Sequence, residues 1–119
     1  MRTITKTITL PAGGQDMDFR LTKLDAFSGA ALLKLVAHAE TEDLQELLLS
    51  LPEAKMEALM RTCLRSVHAL LPAGPVRVLE DGCWGVPELE YDGWTCLRLT
   101  LEVIRWTMEG FFPGSAPGS

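Results

Sequence analysis

The chain opens with two runs of period-two alternation around a glycine pair, and that feature limits what the remaining residues can be. In Thr3-Ile4-Thr5-Lys6-Thr7-Ile8-Thr9-Leu10 the threonines take odd positions, while Ile4, Ile8 and Leu10 take even ones. In Met17-Asp18-Phe19-Arg20-Leu21-Thr22 the apolar residues are odd and the polar ones even. Successive side chains of a strand point to opposite faces, so each run reads as a strand with one apolar side. Pro11-Ala12-Gly13-Gly14-Gln15-Asp16 connects them, a loop longer than the two-residue ideal, which leaves the turn type open. A lone hairpin is marginally stable in water. Its apolar face must be covered by the rest of the chain.

Beyond residue 24 the spacing becomes helical. Asp25 is placed to cap a helix from Ala26 to about Ala39, with Phe27, Ala31, Leu32, Leu35 and Val36 as its apolar positions. Gly29 either weakens the first turn or permits close approach of the hairpin. Thr41 is expected to begin a short second helix carrying Leu44, Leu47, Leu48 and Leu51. Ser50-Leu51-Pro52-Glu53 fits a capping box with proline in the first turn. The stripe Met56, Leu59, Met60, Cys63, Leu64, Val67, Leu70, Leu71 then predicts one helix as far as Pro72. In residues 76–93, Val76-Arg77-Val78-Leu79 suits a short strand, while Asp81-Gly82, Asp92-Gly93 and Pro87 mark turns and a break, so a third strand on the hairpin and an irregular loop both stay open. Trp94, Leu97, Leu101, Ile104, Met108 and Phe111 step by three or four along a last helix, with Arg98–Glu102 and Arg105–Glu109 as pairs on its other side. The expected architecture is α+β: an N-terminal hairpin packed on about four helices. Residues 1–112 form one domain in this reading, and 113–119 a flexible Pro/Gly tail.

The 119 residues suffice for a buried core. A net charge of -5 argues against nucleic acid; Arg61, Arg65 and Arg77 are the nearest thing to a basic patch, with Glu57 and Glu80 close by. No apolar run approaches the roughly 18 residues that span a bilayer, and no signal peptide is visible. Three widely spaced cysteines, Cys63, Cys83 and Cys96, suit a reduced, cytoplasmic chain.

Catalytic apparatus is not evident. His38 and His68 are the only histidines, and no metalloprotease, nucleophile-elbow, phosphate-loop or dinucleotide signature occurs. Cys63 reads as a small core residue, and Cys83 as a thiol with nothing nearby to activate it. Glu88, Glu90 and Asp92 read as a solvated acidic loop without calcium spacing. The expectation is a non-enzymatic protein with no cofactor and no metal. What remains is apolar surface. Trp94, Trp106, Met108, Phe111 and Phe112 crowd the C-terminal helix, and aromatics and methionine are enriched at protein interfaces. These five residues are the candidate partner-binding set, and self-association on the same surface is a second use for it.

The opening TITKTITLPAGGQDMDFRLTKLDAFSGAALLKL, the acidic leucine-rich middle and the aromatic terminal helix resemble the tail assembly chaperones of long-tailed bacteriophages and prophages. The resemblance covers nearly the whole chain and rests on patterns of hairpin and helices. It implies a small acidic protein in the host cytoplasm that binds the tape measure protein, keeps it soluble and helps recruit tail tube subunits. It also implies absence from the finished particle, and often a longer frameshifted form extending beyond the short tail. The alternatives carried beside it are a structural virion component, such as a tail completion or connector protein, and a small adaptor.

Overall fold

The computed structural model describes residues 4–109. The opening alternation there is strand pairing: β1 (Thr5–Ala12) and β2 (Gln15–Thr22) are antiparallel, with Ile8 opposite Phe19 and Leu10 opposite Met17. That register puts the apolar residues of both strands on one face. The connection is shorter than expected. Ala12 pairs with Gln15, leaving a two-residue turn of Gly13 and Gly14. Both have positive φ, +62° and +86°, as a type I′ turn requires, so Pro11, Ala12, Gln15 and Asp16 can continue the ladder.

Helix α1 (Ala26–Ala37) begins where Asp25 accepts a hydrogen bond from the Phe27 N–H at 3.2 Å. Helix α2 (Leu44–Ser50) begins later than expected. Asp43 is its cap, accepting from the N–H groups of Gln45 and Glu46, while the Thr41 hydroxyl oxygen accepts from the Asp43 N–H. Helix α3 (Glu53–Leu64) has no capping box: the Ser50 hydroxyl donates back to the Leu47 carbonyl at 2.7 Å, and Pro52 stands as N-cap without a side-chain bond. Leu51, preceding the proline, is held extended at ψ 151°, the conformation Pro imposes on its neighbour. The Ser50 side chain is thus spent on ending α2.

The largest departure from expectation comes at the end of α3. The apolar stripe does not remain helical to Leu71; α3 ends at Leu64, and β3 (Val67–Leu71) enters the sheet. There Val67 pairs with Leu21 and Ala69 with Phe19, while β4 (Gly74–Arg77) pairs on the other side, Val76 opposite Ala69. The sheet order is β1-β2-β3-β4. Val67 and Ala69 are fully buried in the alternation of a strand. Two ladders and a buried β-branched side chain outweigh the one or two helical turns that residues 67–71 could add to α3. The third strand is therefore this one, and the Val76-Arg77 segment belongs to the fourth. A ribbon of β5 (Leu79–Glu80) and β6 (Cys83–Trp84) turns at Asp81-Gly82, as the dipeptide predicted, and Pro87–Leu89 make a single 3₁₀ turn. Asp92 opens a helix and makes no tight turn: its carboxylate accepts from the Thr95 N–H at 3.1 Å at the start of α4 (Gly93–Glu109).

Helix α4 is the axis of the core. It lies along the apolar face of β1 and β2 and contacts α1 and α3. Its fully buried residues include Cys96, Leu99, Thr100, Val103, Ile104 and Thr107. This stripe is rotated from the one through Trp94, Leu97 and Met108; Leu101 and Ile104 are buried members of the expected set, whereas Trp94 is 57% exposed. The rotation escapes hydropathy because three of the buried residues are threonines. Each hydroxyl is satisfied: Thr100 donates to the Cys96 carbonyl at 2.9 Å, Thr107 accepts from the Leu24 N–H at 3.1 Å, and the Thr95 hydroxyl faces the Pro11 carbonyl at 2.9 Å. A buried hydroxyl so paired costs little, while an unpaired one costs about 1–3 kcal/mol. The Arg98–Glu102 pair forms at 3.9 Å, but Arg105 turns to Glu102 at 3.0 Å and away from Glu109. No helix among the described residues is long and apolar enough to cross a membrane.

Candidate functional site

Along one side of α3, Glu53, Met56, Glu57, Met60, Arg61 and Leu64 recur at spacings of three, one, three, one and three residues, so that they share a helix face. Opposite stand Leu79 and Trp84 of the β5–β6 ribbon, Glu90, and Gly93 and Cys96 at the start of α4. The two walls bound an open groove of about 300 Å³. Its floor is apolar and its carboxylates lie on both walls: Glu53 and Glu57 on α3, Glu90 across from them. Arg61, the one basic lining residue, is engaged by Glu57 at 3.2 Å. Tyr91 and Trp94 adjoin the lining residues Glu90 and Gly93 in the chain and are 90% and 57% exposed.

Close approach at Gly85 positions the Trp84 wall. A Cβ there would fall 2.0 Å from the Arg77 carbonyl oxygen and 2.7 Å from a Val76 methyl, and the Gly85 N–H donates to the Val78 carbonyl at 3.0 Å. Only a residue without a side chain lets the ribbon lie this near β4.

A second apolar cleft of about 400 Å³ lies between α1 and α3, lined by Leu24, Ser28, Ala31, Leu35, Leu51, Lys55 and Leu59 among others. Phe27, on the same helix, is 88% exposed.

The residues expected to bind a partner do not form one surface. Trp94 is exposed near the α3–α4 groove. Trp106 is half-buried against the hairpin: its indole N–H donates to the Ile4 carbonyl at 3.0 Å, and the Lys23 and Lys6 ammonium groups lie 4.4 and 5.7 Å from its ring centre, within cation–π range. Met108 is half-buried and packs against the core. Phe111 and Phe112 lie outside the described residues, as does the expected tail. Met56 and Met60, on the apolar stripe that the sequence showed, line the groove together with Trp84, and Met60 and Trp84 also pack against the core. The overlooked signal is the interleaving of Glu53 and Glu57 with the methionines, since carboxylates on an apolar face mark the rim of something open.

Two of the three thiols lie in the core. Burial pushes the Cys63 thiol up to about 12 and, with Asp92 adding to it, the Cys96 thiol up to about 11; Cys96 also lies 3.3 Å from the Leu89 carbonyl, to which it donates. Cys83 is exposed. His68 is on β3, between Arg20 of β2 and Arg77 of β4 in direct cross-strand pairs. Burial, then the charges of Arg20 and Arg77, lower its pKa, with Glu80 opposing them. His38 is the exposed C-cap of α1. Among the described residues, no three of His, Cys, Asp and Glu come together as a metal site would need. Comparison with protein-family models, with curated proteins and with solved structures finds no match to this chain.

Proposed function

We propose that this protein is a non-enzymatic tail assembly chaperone that covers an apolar helix of a phage tape measure protein in the host cytoplasm and helps bring in tail tube subunits. The observation that carries this reading is the open groove of Met56, Met60, Leu64 and Trp84 beside exposed Trp94 and Tyr91; the order of elements that resembles this family supports it. Helix-in-groove recognition places an apolar stripe against such a surface, and unbranched methionine adapts to imperfect guests. Met56, Met60, Trp84 and Trp94, which are still open in part, give roughly 8 kcal/mol gross at about 2 kcal/mol each. Association costs of at least about 4 kcal/mol leave at most about 4 kcal/mol, a hold of about millimolar strength from these four side chains. So weak a hold is readily reversed, as release of a guest requires.

Co-expression with the tape measure protein of the same genome tests the proposal. The expected result is a soluble complex that co-elutes on sizing, together with absence of this chain from purified particles by mass spectrometry. A tape measure protein that stays insoluble, with no complex, would sink the chaperone reading. Stoichiometric presence in particles would favour a structural component.

A further inference from the structure

Resting on that reading, we infer that the α3–α4 groove is built for one chemistry of guest: an amphipathic helix whose apolar stripe is flanked by lysine or arginine on both sides. The two walls differ in construction but agree in charge. On α3 the carboxylates Glu53 and Glu57 are four residues apart and alternate with Met56 and Met60, so charge and apolar contact follow the same helical rise. Across the groove Glu90 holds the rim next to Trp84 and Gly93. All three carboxylates are exposed, and among the described residues Glu57 alone of the three has a basic partner, Arg61. A guest lying in the groove meets acid along both of its flanks and apolar atoms beneath.

The alternatives fit less well. An acidic helix would set its carboxylates against three glutamates, and like charges brought together at an interface cost several kcal/mol. A second copy of this chain carries a net charge of -5, so two copies meeting at this acidic rim repel each other. The floor offers a small molecule no cluster of converging polar groups of the kind that fixes a ligand's orientation. An extended strand would need a free ladder edge along the groove, and its long wall is helix α3.

The test uses the full chain and three synthetic helical peptides of about five turns, each with Leu at i, i+3, i+4, i+7 and i+11. Their flanking positions carry Lys, Gln or Glu. Affinity is read by calorimetry at low and high salt, and the site by NMR of the methionine methyl groups. The Lys-flanked peptide should bind about tenfold more tightly than the Gln-flanked one, about twofold from each of three exposed pairs. The Glu-flanked peptide should bind most weakly, and the differences should shrink at high salt. The Met56 and Met60 methyl signals should shift. The triple variant Glu53→Gln, Glu57→Gln, Glu90→Gln should keep its circular dichroism and lose the preference for Lys flanks.

Equal affinity for all three peptides, binding that leaves the Met56 and Met60 signals unmoved, or no binding at all would overturn the inference. If the triple variant and Met60→Lys still solubilise the tape measure protein like the parent, the chaperone reading stands and this groove is not its site. If the peptides bind as expected while the tape measure protein stays insoluble, the groove's chemistry stands and the chaperone reading falls.

Discussion

Replacing Gly85 by alanine puts the geometry of the groove wall to its sharpest test. The added Cβ would meet the Arg77 carbonyl oxygen at 2.0 Å and a Val76 methyl at 2.7 Å, about 1.4 Å short of ordinary contact at the oxygen. The obstacle is backbone in a paired strand, so no rotamer change relieves it. Either β4 or the β5–β6 ribbon has to retreat, stretching the Gly85 N–H to Val78 carbonyl bond. Adding one carbon to a tightly packed site costs about 1–3 kcal/mol, and the rigid neighbour places this case near 3 kcal/mol. For a domain of this size that lowers Tm by roughly 12 °C. Urea unfolding followed by far-ultraviolet circular dichroism would show a lower midpoint with unchanged slope. Trp84 precedes Gly85 in the chain, so the groove wall moves with it and affinity for the Lys-flanked peptide falls as well. Gly93→Ala is the control. It stands at the first residue of α4 with no atom within 4 Å of the added carbon, so it should be neutral or stabilising by up to about 1 kcal/mol. A Gly85→Ala protein that unfolds within about 0.5 kcal/mol of the parent, the usual range for an unremarkable surface change, would refute the close approach.

Thr107→Val keeps the shape of the side chain and removes the acceptor of the Leu24 N–H; a loss of about 1–3 kcal/mol is expected in the same unfolding assay, and an unchanged midpoint would show that this hydroxyl does not tie the segment between β2 and α1 to α4. His68 has a folded-state pKa below its ordinary value near 6.5, so the unfolded chain binds the proton more readily and stability must fall as pH drops below about 6.5, levelling off once the folded-state pKa is passed. Unfolding midpoints from pH 8 to 5 should therefore decline less steeply in His68→Gln than in the parent; parallel curves would contradict the placement of His68 between Arg20 and Arg77. With a thiol reagent under native conditions, exposed Cys83 should react promptly, while buried Cys63 and Cys96 should react only on unfolding; prompt labelling of more than one thiol would count against the core as described.

The hairpin was legible because each alternation gathers its apolar residues on one face and the glycine pair marks the turn between them; the turn then sets the register, with Ile8 opposite Phe19. Asp25 was legible as a cap for a similar reason, since the interaction is local. The β3 segment was not. Val67, Leu70 and Leu71 fit a period of 3.6 as a continuation of α3, and the partners that make them a strand lie nearly fifty residues away at Phe19 and Leu21. Local pattern carries no information on which long-range ladder is open. The rotation of α4 was hidden by Thr95, Thr100 and Thr107, which count as polar in any hydropathy reading yet are buried with their hydroxyls bonded. The groove was obscured by the same ambiguity in reverse. Met56 and Met60 look like core residues, and only the placement of the β5–β6 ribbon leaves them half open.

The tie from α4 to the hairpin end of β1 has a consequence for how the protein meets other chains. β1 is an outer strand of the sheet, and an open edge is a template on which other chains can polymerise. The Ile4 carbonyl that Trp106 reaches faces inward, where it also accepts the Lys23 N–H at 2.9 Å. At the other end the Thr95 hydroxyl faces the outward Pro11 carbonyl, and Pro11 has no N–H to offer. The free edge is shortened at the hairpin end. Strand-by-strand pairing of another chain along β1 is thereby hindered at that end, where it would have to displace a side-chain contact and pass a proline.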